Sequence, residues 1–312
     1  MRAFVFPGQG AQTIGMGQSL AANYPAAKAV FDEVDDALGQ DLSGLIWEGD
    51  IESLTLTANA QPALMATSLA ALRALQAEGV ALDTASFVAG HSLGEYSALA
   101  AVGAISIANT ACLLRIRGAA MQEAVPVGVG AMAAILGLDF ATVSAVAEAA
   151  AQGEVCQSAN DNDPGQVVVS GHRAAVERAL ELAQEAGAKR VVLLPVSAPF
   201  HCALMEPAAE RMASALAEVD ISTPALPLVA NVWASAVSDP ARIRSLLVEQ
   251  VTGPVRWRES VMYLASEGVT EVWEIGAGKA LSGMIRRIDR ALTCNTIGSP
   301  EDIAKALAAE TN

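Results

Sequence analysis

The spacing of apolar and polar positions changes period several times along this chain. Short continuous apolar runs of strand length lie at 2–6, 86–90, 226–230 and 271–275, a pattern expected of strands buried on both faces. Between them, Ala- and Leu-rich stretches at 61–76, 110–123 and 202–217 carry helical periodicity. Strands alternating with helices predict a parallel sheet covered on both sides. The most apolar stretch, 98–114, is broken by Gly103, Ser106, Asn109 and Thr110. It predicts helix, turn, helix inside a core rather than a membrane span of ~20 apolar residues.

In the middle of the chain the rhythm differs. "GAMAAILGL", "DFATVSAVAEAAAQ", "EVCQSAN", the turn "DNDPG", "QVVVSG", a helical stretch at 174–186 and "KRVVLLPV" follow one another. The order is β, α, β, β, α, β, the signature of a ferredoxin-like unit. The predicted fold is therefore α/β: a large domain with a short parallel sheet from 1–126 and 198–312, and a small ferredoxin-like domain at 127–197. Pro126 and Pro199 flank the insertion.

With 312 residues, 53% of them hydrophobic, the chain can bury a large core. A formal charge of −15 argues against non-specific binding to nucleic acid and against docking on anionic membranes. An acidic partner needs a local basic patch. The start of the chain runs directly into "RAFVF" without a signal-like segment. Cysteines at 112, 156, 202 and 294 form no CxxC pair, which suits a reducing cytoplasm. With three histidines and no His or Cys pair at ligand spacing, no metal site is expected.

Candidate chemistry centres on "GHSLG", a G-x-S-x-G pattern between the run at 86–90 and a helix opening at Gly94. Such a turn exposes a nucleophilic serine, here Ser92, and aims the N–H groups of the helix start, beginning with Leu93, at a developing oxyanion. A serine hydroxyl needs a base. His91 is its chain neighbour and leaves the turn in another direction, and His172 sits at a turn of the inserted unit. By elimination the base is His201, in "PVSAPFHCALM". A hydrolase triad would add an acid, yet between Ser92 and His201 the aspartates are 139, 161 and 163, all in the insertion. A backbone carbonyl could orient the imidazole instead.

"FVFPGQGAQTIGMG", "GHSLGEYSAL", "RIRGAAMQEAVP", "SANDNDPGQVVVSG", "APFHCALM" and "EQVTGPVRW" occur in that order. Together they resemble the bacterial malonyl-CoA:acyl carrier protein transacylases. The resemblance implies a hydrolase-like α/β domain with a ferredoxin-like insertion, and transfer of malonyl from coenzyme A to the phosphopantetheine thiol of acyl carrier protein, in fatty acid synthesis. It implies Ser92 as acylated nucleophile, His201 as base, the Gln9 and Leu93 N–H groups as oxyanion hole, and the Gln250 main-chain carbonyl as orienter of His201. Arg117 resembles the arginine that grips the malonyl carboxylate, and a guanidinium offers the planar two-pronged fit this requires. Arg115 points to another face and serves as its internal control.

"PGQGAQ" does not complete a nucleotide loop, since Thr13 and Met16 stand where Gly and Lys are needed. Asn160 and Asn162 match a segment lining the cleft in the family, with a simple turn as the alternative. Phe200 resembles the bulky residue of malonyl-selecting synthase acyltransferases. Acyl carrier proteins are acidic, so Lys279, Arg286 and Arg287 in "GKALSGMIRRIDR" are the expected docking face. The expected partners are malonyl-CoA and acyl carrier protein, with no cofactor. Alternatives are a serine esterase, a non-catalytic scaffold, or a stand-alone acyltransferase of a polyketide synthase.

Overall fold

The computed structural model describes residues 1–196 and 198–310. Its larger sheet has six strands: β1 (Arg2–Phe6), β2 (Phe87–Gly90), β7 (Leu228–Val229), β8 (Ala236–Val237), β9 (Glu271–Ile275) and β10 (Thr293–Ile297). They lie in the order β10-β9-β1-β2-β7-β8, parallel except for the β7–β8 hairpin. The central strand β1 sets Phe4 opposite both Val88 and Trp273. Its side chains alternate between two cores. Phe4 and Phe6 enter the main cluster with the helix Thr57–Ala77, whereas Ala3 and Val5 pack with Trp257, Val261 and Ile285 on the other face. Both faces are covered, which explains a continuous apolar run in place of alternation.

A second sheet contains β3 (Gly130–Leu136), β4 (Cys156–Asp163), β5 (Gln166–His172) and β6 (Arg190–Leu193) in the order β4-β5-β3-β6. All its pairings are antiparallel. The helices Phe140–Ala151 and Arg173–Glu185 cover one face, where Ala133, Ile135, Val143, Val169 and Val176 close a separate core. Met132, Ala134 and Val168 point the other way, into the main cluster. This sheet lies within 127–197, which we propose as an inserted domain; the boundary expected at 197/198 falls on Ser197, outside the described residues. Thr311 and Asn312, at the end of the expected large domain, are also outside them.

Helix starts follow their caps. Ser106 Oγ accepts the Asn109 N–H, Asp139 Oδ1 the Thr142 N–H and Asp239 Oδ2 the Arg242 N–H, each satisfying an orphan donor of the first turn. Three expectations need correction. The stretch 202–217 is helical only from Glu206, because a short 3₁₀ turn at Ala203–Met205 precedes it. "DNDPG" is not a simple turn, since Asp161–Asp163 continue β4 through register shifts and only Pro164 and Gly165 turn. The strand expected at 226–230 shrinks to two paired residues because Ala230 and Asn231 leave the ladder beside the serine turn. Among the described residues no helix is long and apolar enough to cross a membrane.

The chain enters the large sheet at β1, then adds β2 on one side and β9 on the other. The strand order therefore reverses at β1, between β9 and β2, and ligands bind in open α/β sheets beyond the carboxyl ends of the strands at such a topological switch point; here the crevice beside it is bordered by the ends of β1 and β2. "PGQG" and "HSLG" are the loops that leave those two ends.

Candidate active site

Ser92 follows β2 directly and takes a left-handed backbone, φ 53°, before the helix Gly94–Ala101. Two glycines make the turn sterically attainable. A Cβ at Gly90 would lie 1.9 Å from the Gly94 carbonyl carbon, and one at Gly94 would lie 2.2 Å from the Phe6 oxygen. Asn231, fully buried after β7, clamps the turn from behind. Its Oδ1 accepts the Ser92 N–H at 2.8 Å and its Nδ2 donates to the Gly90 carbonyl at 2.6 Å. The Ser92 N–H is thereby committed to structure. The N–H groups of Leu93 and Gln9 donate to no protein acceptor among the described residues, and both residues line the cavity above Ser92.

His201 also has a left-handed backbone, φ 59°. Its Nε2 lies 2.8 Å from Ser92 Oγ, and its Nδ1 lies 2.8 Å from the Gln250 carbonyl oxygen and 3.2 Å from that of Gly253. Carbonyls only accept, so Nδ1 carries the proton and Nε2 is free to receive the serine proton. Burial, reinforced by the nearby Arg117 charge, pushes the imidazole down to about 3. The ring is neutral at physiological pH. Among the described residues no carboxylate takes the third place of a triad.

Arg117 projects from the helix Ile107–Glu123 and is 1% exposed. Its Nη1 donates to Gln61 Oε1 at 2.7 Å, and its Nη2 donates to Gln250 Oε1 at 2.7 Å and to Ser92 Oγ at 3.2 Å. The guanidinium is thus held by neutral amide oxygens, and Nε has no partner. Arg115 turns away, donating to Asn59 and, at 2.7 Å, to Gln40.

Ser92, His201, Arg117, Gln9, Leu93, Asn160 and Phe200 therefore border one cavity of about 440 Å³. Asn162 stands a layer back, its Oδ1 accepting from His91 Nε2 at 2.9 Å, while His91 packs against Trp257. His172 serves the small sheet, its Nδ1 accepting the Val155 N–H at 2.9 Å. The basic helix lies outside the cavity. Lys279 and Arg286 are exposed, but Arg287 Nε donates to the buried Asp163 at 2.7 Å, so its charge is already committed. Sequence reasoning missed Asn231, Gln61, the side-chain role of Gln250 and, most of all, Glu95. A lone acid within "LGEYSALAAVGA", three residues past the serine, was the one signal available.

Residues 3–290 match the family model described as acyl transferase domain. The chain is 49% identical to the malonyl CoA-acyl carrier protein transacylase of Bacillus subtilis (strain 168), over 98% of this chain and 96% of that one. Among solved structures it is similar to the acyl-carrier-protein-S-malonyltransferase from Bartonella henselae, with 54% identity, a TM-score of 0.97 and coverage of 100% and 99%. It is also similar, at 42% identity and a TM-score of 0.96 over 100% and 99% of the two chains, to a malonyl-transacylase in complex with a holo type II PKS acyl-carrier protein.

Proposed function

The chain belongs to the acyl transferase domain family, among its malonyl CoA-acyl carrier protein transacylases, and from that premise we propose how its own residues carry the malonyl group. The enzyme moves malonyl from coenzyme A to the phosphopantetheine thiol of acyl carrier protein, feeding fatty acid synthesis. One observation supports the residue roles above all others: His201 Nε2 at 2.8 Å and Arg117 Nη2 at 3.2 Å meet at the same Ser92 hydroxyl.

As Ser92 Oγ attacks the thioester carbonyl, its proton passes to His201 Nε2, and the Gln250 carbonyl steadies the imidazolium through Nδ1. The Leu93 and Gln9 N–H groups receive the negative charge that gathers on the carbonyl oxygen. The C–S bond then breaks, and His201 returns the proton to the leaving sulfur of coenzyme A. The malonyl ester on Ser92 keeps its free carboxylate, which Arg117 meets through charge-assisted hydrogen bonds. Carrier thiol enters, loses its proton to His201 and attacks the ester; the tetrahedral centre collapses with return of that proton to Ser92 Oγ. Every step uses side chains and backbone of this chain, so no metal or organic cofactor is drawn in. A thioester replaces a thioester, which leaves the enzyme the tasks of speed and water exclusion.

Phe200, 9% exposed beside His201, narrows the cavity against branched acyl groups, and Asn160 supplies a polar wall. We place docking of the acidic carrier at Lys279 and Arg286, without Arg287. A cytoplasmic location belongs to the same proposal, supported by four free cysteines. Intact-protein mass spectrometry after mixing with malonyl-CoA tests the core of it. A malonyl adduct on Ser92 that carrier protein discharges and water removes slowly is the expected result; an adduct that survives Ser92→Ala, or hydrolysis outpacing transfer, would overturn it.

A further inference from the structure

Glu95 lies in the first turn of the helix that follows Ser92 and is 1% exposed. Its Oε2 accepts from Gln250 Nε2 at 2.6 Å and from the Asn231 N–H at 3.2 Å, while Oε1 has no partner. The mechanism above does not use it. Arg117, on the other side of Gln250, is a buried cation that no carboxylate contacts among the described residues. A buried charge without compensation is costly. The Gln250 amide joins the two side chains: it donates to Glu95 and to the Ser92 carbonyl, and accepts from Arg117. The amide dipole is thus aligned between anion and cation.

We propose that Glu95 is the counter-charge of Arg117, relayed through the Gln250 amide, and that it sets how strongly the site prefers an acyl group bearing a carboxylate. The assignment rests on Arg117 meeting the malonyl carboxylate. A direct Glu95–Arg117 pair would occupy the prongs that malonyl needs. Held one amide away, Glu95 offsets the charge of the empty site yet leaves Nη2 beside Ser92. Through the same amide it draws on the cation that the malonyl carboxylate must bind, so its neutralisation strengthens the hold of Arg117 on malonyl and leaves acetyl, which has no carboxylate, unaffected.

The groups facing Glu95 make this measurable. Burial pushes its carboxyl up to about 7. Tyr96 on its own helix is pushed up by burial and remains a neutral phenol, His201 stays neutral above about 3, and buried His91 is lowered. Arg117 remains a cation, Gln250 and Asn231 do not titrate, and malonyl stays ionised well below pH 6. Between pH 8 and pH 6, Glu95 is thus the group at this site that gains a proton.

The test is the ratio of kcat/KM for self-acylation by malonyl-CoA to that by acetyl-CoA, a half-reaction that involves no carrier thiol. It is measured by rapid quench and intact mass at pH 6 and pH 8 for the unmodified enzyme, Glu95→Gln, Arg117→Ala and the double variant. The expected result is a malonyl:acetyl ratio that rises from pH 8 to pH 6 in the unmodified enzyme. In Glu95→Gln it is raised roughly tenfold at pH 8 and no longer varies with pH. In the Arg117→Ala background the Glu95 change leaves the ratio alone. A ratio that Glu95→Gln leaves unchanged or lowers, or shifts equally without Arg117, overturns the proposal. Should Glu95→Gln fail to fold, a flat ratio in the unmodified enzyme overturns it equally. An Arg117→Ala enzyme with undiminished preference for malonyl overturns the carboxylate assignment itself, and this inference with it.

Discussion

Ser92 and His201 each hold a left-handed backbone that non-glycine residues rarely adopt, and such strain persists only where surrounding contacts over-determine it. The imidazole is the more exposed to pH. Its pKa falls from 6.5 unfolded to about 3 folded, so the unfolded chain binds more protons between those values. Its contribution to stability is present above pH 6.5 and is lost as pH falls toward 3. His201→Asn should abolish acylation while its melting temperature, followed by circular dichroism, falls less between pH 7 and pH 5 than that of the unmodified enzyme. Arg117→Ala should cost malonyl kcat/KM roughly a hundredfold or more and leave acetyl transfer largely intact, whereas Arg115→Ala should spare both. Ser92 and His201 were legible in the sequence because few histidines compete and the serine turn is a local pattern. Glu95 and Asn231 were not, because each matters through a contact more than a hundred residues away along the chain, Glu95 with Gln250 and Asn231 with the Ser92 turn.

At the scale of elements, the serine turn depends on how closely β1, β2 and the following helix approach. Gly94 sits where a Cβ would fall 2.2 Å from the Phe6 oxygen, a backbone atom that cannot swing aside. Gly283, inside the helix Ala280–Ile288, would meet only the flexible Arg287 head at 3.7 Å. The same substitution should therefore have opposite signs. Gly94→Ala should destabilise by about 1–3 kcal/mol and slow acylation by displacing Ser92. Gly283→Ala should stabilise by about 0.5–1 kcal/mol with unchanged acylation. Urea denaturation of both variants gives the comparison, and like signs would refute this account of the turn. Strands buried on both faces, β1 and β9, announced themselves through continuous apolar runs. β10 did not: it is an edge strand, and "TCNTI" shows the mixed pattern of one covered face. β8, two residues long, carries no pattern at all.

Across the whole molecule, β4 belongs to the small sheet by its ladder but is clasped by the large body at its end. Asn160 bridges to Val255, Asp161 pairs with Arg258 and Asp163 with Arg287. The βαββαβ rhythm was legible before any coordinates, but this clasp was not, since two aspartates in a turn-like segment ordinarily read as solvated. Burial already raises the Asp161 carboxyl against the pull of Arg258. Arg258→Gln should raise it further above its unfolded value. Stability is then retained below the unfolded value of 3.8 and lost as pH rises from there through the raised folded pKa, so the variant should be more destabilised at pH 7 than at pH 4. The same clasp pairs Arg287 with Asp163, which offsets its charge toward a partner although the side chain is 55% exposed. On a chain of net charge −15, the docking proposed above for an acidic carrier protein rests on Lys279 and Arg286, which are exposed and stand free of any carboxylate contact among the described residues. Rim charges act mainly on encounter rate. Arg286→Glu should therefore lower kcat/KM for transfer to carrier protein, most at low ionic strength, while self-acylation by malonyl-CoA keeps its rate. Equal losses in both half-reactions, or a loss in the first that added salt does not diminish, would place the carrier's docking surface elsewhere.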